Sequence, residues 1–210
     1  MSRELPGIVL AAGGSTRMGR PKLLLPVEPG GTLLGRLLGT LADAGVWPLV
    51  VVVRRTLAME SAWRDPRAPS VGVVVNPDPS RGQLSSMLCG LDSFGDRPDA
   101  VLQAQVDVPL IRVETVRALV DAWHASRPPL VRPVFHGRTG HPVIFGGGLL
   151  DVLRTTDVRG GAKPVVRRFA PIGVEVAVDD PLILEDIDTP EDYRRVVGMT
   201  KDEGRRAKDE

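Results

Sequence analysis

Short apolar runs alternate with helical patterns through the first two thirds of the chain, and this alternation restricts the fold more than any other feature. Residues 7–10, 49–53, 71–75 and 100–106 read as buried strands, continuous rather than alternating, as expected where both faces of a sheet are covered. Between the first two, Leu33, Leu34, Leu37, Leu38 and Leu41 recur at helical spacing. Thr32 is placed to cap that helix and Gly45 to end it. Residues 57–63, 83–94 and 113–125 supply the remaining helical patterns. The order predicts a single-domain α/β fold of Rossmann-like type, with a mostly parallel sheet, helices on both faces and right-handed crossovers.

The last third departs from this rhythm. Residues 130–135 and 142–145, around a turn at 136–140, predict a small β excursion from the sheet. Gly146-Gly147-Gly148 separates it from a short helix at 149–154, and a second helix is expected over 160–169. Residues 172–178 and 182–187 look extended, and Thr189 heads a closing helix over 190–197. Residues 1–198 are expected to form one domain, the size at which a chain buries roughly 70% of its unfolded surface. Residues 199–210 form a charged tail, with eight charges in the last ten residues, for which disorder is expected.

Composition narrows the function classes. Basic and acidic residues nearly cancel, 27 against 26, and the chain has only 3 Trp, 1 Tyr and 4 Phe. Neither a nucleic-acid footprint nor a stacking surface is expected. Cys89 is the single cysteine, so no internal disulfide or zinc pattern is available, which points to a reducing compartment. No basic-then-apolar leader or run of membrane length is present. The expectation is a cytoplasmic protein with a small-molecule partner and no membrane association.

The chemistry concentrates in Leu10-Ala11-Ala12-Gly13-Gly14-Ser15-Thr16-Arg17-Met18-Gly19-Arg20-Pro21-Lys22, directly after the first strand. Glycines let backbone N–H groups approach an anion, and Arg17 and Lys22 add positive charge, as a polyphosphate cradle needs. It is not a P-loop, because Arg20 stands at the lysine position and Pro21 at the Ser/Thr position. It is not a dinucleotide fingerprint either, since Ser15 and Met18 replace the second and third glycines. Ligands of open α/β sheets bind beyond the carboxyl ends of the strands, where this loop, Asn76 and Asp107 all fall. Asp107, ending an apolar strand, needs a partner or a cation, and Mg²⁺ with phosphate oxygens suits it. A turn or capping role is the alternative.

The loop resembles the LAAGxSxRMGxPK signature of the MobA-like nucleotidyltransferases, especially their molybdenum cofactor cytidylyltransferase branch. The resemblance extends from Ile8 to about Val197. It implies the nucleotide-diphospho-sugar transferase type of fold and a Mg²⁺-dependent transfer of a nucleotidyl group to a phosphate acceptor, with release of pyrophosphate. By resemblance, Leu10, Ala11, Ala12, Gly13 and Gly14 line the nucleotide pocket, Arg17 holds the outer phosphates, and Lys22 contacts the phosphates and stabilises the transition state. Ala12 goes with cytidylyl rather than guanylyl transfer, which favours CTP. Asp107 holds magnesium. Asp188, in a segment similar to the family's D-x-D-T-P-E-D, is a second metal ligand or orienting carboxylate, with helix capping by its neighbours as the alternative.

Gln83 and Ser85 fall in the family segment that faces the base, although Ser85 can instead pair with backbone at a helix start. His141, in Gly140-His141-Pro142, belongs to the part facing the acceptor, which the branch implies is molybdopterin–molybdenum cofactor. Transient contact with a molybdoenzyme or its chaperone follows from that acceptor. A sugar phosphate or another phosphorylated metabolite is the alternative acceptor, and a noncatalytic nucleotide-binding or cofactor-delivery protein is the rival from another class.

Overall fold

A computed structural model of the chain describes residues 4–14, 18, 21–28, 30–58, 71–95 and 97–209, with side chains described through Met199. Strands β1 (Leu5–Ala11), β2 (Val46–Arg54), β3 (Gly72–Asn76) and β4 (Ala100–Gln105) form a parallel half-sheet in the order β3-β2-β1-β4. Helices α1 (Leu33–Asp43), α2 (Arg55–Ala58) and α3 (Gln83–Asp92) fall in the crossovers, and α4 (Val113–Ser126) follows β4. Every residue of β1 is buried. Val9 and Ala11 pack with Leu34, Leu37, Leu41, Leu119 and Trp123 on one face, while Ile8 and Leu10 pack with Leu84, Met87 and Leu91 on the other.

The Thr32 hydroxyl accepts from the Gly35 N–H at 3.0 Å, so the expected cap of α1 is present. A cap contributes about 1 kcal/mol. Each of the buried leucines of α1 contributes roughly 1.5–3 kcal/mol. Packing, more than capping, therefore fixes this helix.

The final third is part of the sheet rather than an excursion from it. Strand β5 (Leu130–Phe135) forms a hairpin with β6 (Arg138–Thr139), as expected. Strand β7 (Val143–Gly146), however, inserts antiparallel between β4 and β5, and β8 (Val174–Ala177) pairs parallel to β5. Val143, Ile144 and Phe145 are all buried, so the run has core on both faces and needs a central position. The glycines follow β7 directly into α5 (Gly147–Thr155), and α6 (Lys163–Phe169) carries Pro164 in its first turn, where its missing N–H costs nothing.

Two further expectations change. Residues 181–184 form a 3-10 turn, not a strand, because the fully buried Asp180 accepts from the Leu182 N–H at 3.1 Å and begins it. The other carboxylate oxygen of Asp180 accepts from Arg112 N at 2.9 Å and Thr115 Oγ1 at 2.7 Å, pinning the turn to the start of α4. The closing helix α7 spans Pro190–Asp209, so helical backbone continues past the expected end at residue 197. The tail's Lys, Glu, Arg and Ala residues are good helix formers, and extending a helix is far easier than starting one. Of the helix expected at 57–63, residues 57 and 58 fall in α2 and residues 59–63 lie outside the described residues.

Candidate active site

Two chain segments converge where β1 and β4 end. Val106 N donates to Leu10 O at 3.1 Å, so the strand carrying the glycine loop is tied to the one leading into Asp107. Ile187 N donates to Asp107 O at 2.8 Å, and the fully buried Ile187 side chain joins an apolar cluster with Leu25, Leu33, Leu110, Leu182 and Val196. That cluster is the floor on which the site is built.

Lys22 opens a 3-10 turn, Lys22–Leu24, held down by the buried Leu23 and Leu25. Its ammonium donates to Asp107 Oδ1 at 2.9 Å and to Asp188 Oδ1 at 2.7 Å. Burial works to lower the pKa of Lys22, but the hydrogen bonds to Asp188 and Asp107, with their charges, prevail and raise it. The three residues, expected separately from the sequence, form one ionic group. Asp186 lies in the same field: burial, then the charges of Asp107 and Asp188, raise its pKa.

Asp188 is aimed by the cap of α7. Asp192 Oδ2 accepts from Asp188 N at 3.2 Å, from Thr189 N at 2.9 Å and from the Thr189 hydroxyl at 2.8 Å. Thr189 Oγ1 accepts from Asp192 N at 3.1 Å, closing a reciprocal box. Capping thus belongs to Thr189 and Asp192, and the carboxylate of Asp188 is turned toward Lys22.

Asp107 and Asp188 keep about a third of each side chain exposed, 36% and 37%. Two accessible carboxylates are the hard oxygen donors a divalent cation takes. Among the described residues no cluster of three or more His, Cys, Asp or Glu has metal-holding geometry. A divalent ion would therefore draw most of its ligands from water and substrate oxygens, which is how Mg²⁺ binds with phosphates.

Along the loop, Leu10, Ala11 and Ala12 are buried and Gly13 and Gly14 are exposed. Arg17 lies outside the described residues. Arg54, which the sequence reading passed over, ends β2 and donates from Nη1 to Gly14 O at 3.1 Å. An arginine closing a buried β-branched run was the signal. Asn76, expected at a strand's carboxyl end, is 2% exposed and donates to both Ser85 Oγ and Ser86 Oγ at 2.9 Å, while its Oδ1 accepts from Asp78 N at 2.9 Å. The Ser85 hydroxyl donates to Gly82 O at 2.7 Å, so the backbone-pairing alternative is the arrangement found.

Gln83 is exposed at the start of α3 and reaches Gln105 Oε1 at 3.5 Å. Gln105 Nε2 lies 3.0 Å from His141 Nε2. Burial lowers the pKa of His141, with Asp107 pulling it the other way. Gln105 was also missed: it was read only as part of an apolar strand.

The family model described as "MobA-like NTP transferase domain" matches residues 7–172. Nicotine blue oxidoreductase of Paenarthrobacter nicotinovorans is 30% identical over 201 residues, covering 91% of this chain and 95% of the relative. Molybdenum cofactor cytidylyltransferase of Escherichia coli K12 is 24% identical over 189 residues, covering 89% and 92%. Among solved structures, Rv0371c of Mycobacterium tuberculosis H37Rv superposes with a TM-score of 0.79 at 26% identity, covering 94% of this chain and 100% of that one. A complex of Rv0371c with manganese gives a TM-score of 0.75.

Proposed function

The chain belongs to the MobA-like NTP transferase family and is a nucleotidyltransferase, and from that premise we propose that it transfers CMP from CTP to the phosphate of a molybdopterin–molybdenum cofactor, releasing pyrophosphate. The observation that carries this reading is the Lys22–Asp107–Asp188 group at the foot of the glycine loop. An acceptor phosphate oxygen attacks the α-phosphorus, and the bond to the pyrophosphate oxygen breaks. No covalent enzyme intermediate is needed, since positioning and charge carry such a transfer.

The chain's own groups have distinct tasks. Exposed Gly13 and Gly14 offer N–H groups to the phosphates without a side chain in the way. Arg54 holds Gly14 in place through its carbonyl. Lys22 supplies fixed positive charge at the reacting phosphates. Asp107 and Asp188 would hold Mg²⁺, which when bound neutralises charge on the triphosphate and leaving group. Gln83 faces the nucleotide, and His141 faces the acceptor. Ala12, by its resemblance to the cytidylyl branch, favours cytosine as the base. A sugar phosphate acceptor would use the same machinery.

The test is thermal unfolding with Mg²⁺ and each of CTP, GTP, UTP, ATP and NADPH. A ligand at 100 times its Kd adds about 2.7 kcal/mol to the folded state. A magnesium-dependent shift for CTP above the others is expected. A shift with NADPH alone would overturn the reading in favour of redox chemistry. Asp107→Asn should fold normally and lose pyrophosphate release; unchanged release would remove Asp107 from the metal site.

A further inference from the structure

Gln105 stands where the two halves of the site meet. The parallel register pairs it with Leu10, the strand residue that leads into the nucleotide loop. The antiparallel register of β4 with β7 pairs Leu102 with Ile144 and Gln103 with Val143. Continued for two residues, it sets Gln105 opposite His141. The side chains confirm the alignment: Gln105 Nε2 is 3.0 Å from His141 Nε2, and Gln105 Oε1 accepts from Gln83 Nε2 at 3.5 Å. One carboxamide therefore touches both the residue facing the nucleotide and the residue facing the acceptor.

The chemistry of that carboxamide makes it a two-position element. It has a donor end and an acceptor end, and a half-turn exchanges them. With the NH₂ end toward His141, Nε2 of the imidazole accepts and the ring proton resides on Nδ1. His141 Nδ1 is buried and, among the described residues, has no hydrogen-bond partner, so none of them opposes moving the proton to Nε2. The bond from Gln83 at 3.5 Å is long enough that a ligand accepting from Gln83 can replace it. Once Gln83 is engaged elsewhere, nothing from α3 holds the Oε1 end of Gln105, and the carboxamide is free to present that end to His141.

We propose that Gln105 is a positioning residue that sets the tautomer of His141 and couples it to occupancy of the nucleotide subsite through Gln83. The coupling deepens the nucleotidyl-transfer reading and rests on it; the tautomer assignment in the free protein does not. The consequence is that the acceptor meets a histidine presenting a different nitrogen before and after nucleotide binds.

The experiment is ring-nitrogen NMR of the full-length ¹⁵N-labelled chain at alkaline pH, where imidazoles are neutral. The chain has three histidines, and His124→Gln and His136→Gln assign the third. The free wild type should show His141 protonated on Nδ1. Gln105→Glu, acceptor-only when ionised, should move the proton to Nε2, and Gln105→Leu should give a mixture, with melting temperatures showing that both fold. CTP with Mg²⁺ should exchange the wild-type ring signals and leave those of Gln105→Leu unmoved, with CTP affinity within about threefold of wild type. Unchanged His141 signals in both Gln105 variants would overturn the positioning role. Thermal stabilisation by CTP without any movement of the wild-type ring would overturn the coupling. Failure of any nucleotide to bind would overturn the proposed function and the coupling with it, while the free-protein comparison still decides the positioning role.

Discussion

The Lys22 ammonium lies 2.7 Å from a carboxylate oxygen of Asp188, 166 residues further along the chain. This bond, with its 2.9 Å counterpart to Asp107, joins the loop after the first strand to the cap of the last helix. Lys22→Met should lower kcat by about 10²–10³, the usual loss when one fixed stabilising donor is removed. A decrease under tenfold in the rate of pyrophosphate release would show that Lys22 serves the fold rather than the reaction.

The same group has an alkaline signature. The folded-state pKa of Lys22 is raised above the ordinary 10.5. Its contribution to stability is therefore complete below the unfolded value and is lost as pH rises through the folded one. In chelator, Lys22→Met should melt below wild type from pH 7 to 9, and the gap should narrow above about pH 10.5. A gap that stays constant to pH 12 would refute this account.

Asn76→Leu tests the joint between β3 and α3. It removes a buried side chain with three hydrogen bonds, two of them to hydroxyls that also lie inside. Unpaired buried polar groups cost about 1–3 kcal/mol each, so urea unfolding should show a loss of about 2–4 kcal/mol. A loss below 0.5 kcal/mol would mean that Ser85 and Ser86 find other partners.

Asp192 is held to a pKa of about 2, chiefly by the Thr189 hydroxyl and then by the N–H groups of Asp188 and Thr189. A depressed carboxylate contributes stability above its unfolded pKa and loses it as pH falls through the folded value. Asp192→Ala should melt lower than wild type at pH 7, and the two curves should converge between about pH 4 and 2. Parallel curves through that interval would dissociate the cap from the carboxylate charge.

Gly140→Ala tests the placement of His141. A Cβ at Gly140 would lie 2.3 Å from Ile183 O, a backbone atom that also accepts from His141 N at 3.1 Å. Forced repacking of this kind costs typically 1–3 kcal/mol. The variant should lose about that much in urea unfolding and weaken acceptor use more than CTP binding. Equal effects on both substrates would place His141 outside the acceptor half.

What could be read in advance followed from periodicity and from chemistry at strand ends. The leucine spacing and Thr32 located α1, and Asp107 could be placed at the carboxyl end of a strand because an apolar run stops there. The partnership of Lys22 with two carboxylates was readable only as convergence, since no local pattern records contacts across 85 and 166 residues. Residues 182–187 misled because their apolar start suits an extended segment, whereas buried Asp180 commits the backbone to a turn over Pro181–Leu184. Gln105 was legible in principle. With two residues per strand period, Gln103 and Gln105 share a face, and a polar residue closing such a strand faces the ligand edge.

The placement of β7 also governs how the molecule assembles. Strand β5 leaves α4 to lie about 10 Å from β4, two inter-strand spacings away, with nothing between them until residues 143–146 arrive. Without this strand both neighbours would show open apolar edges over that interval, the kind of edge other chains can pair with. Once in place, this four-residue strand is the only ladder joining the parallel half-sheet to β5, β6 and β8 among the described residues. His141, two residues before it, is therefore borne on the seam itself. Breathing of one half against the other would act first on the His141–Gln105 contact, which crosses that seam at 3.0 Å.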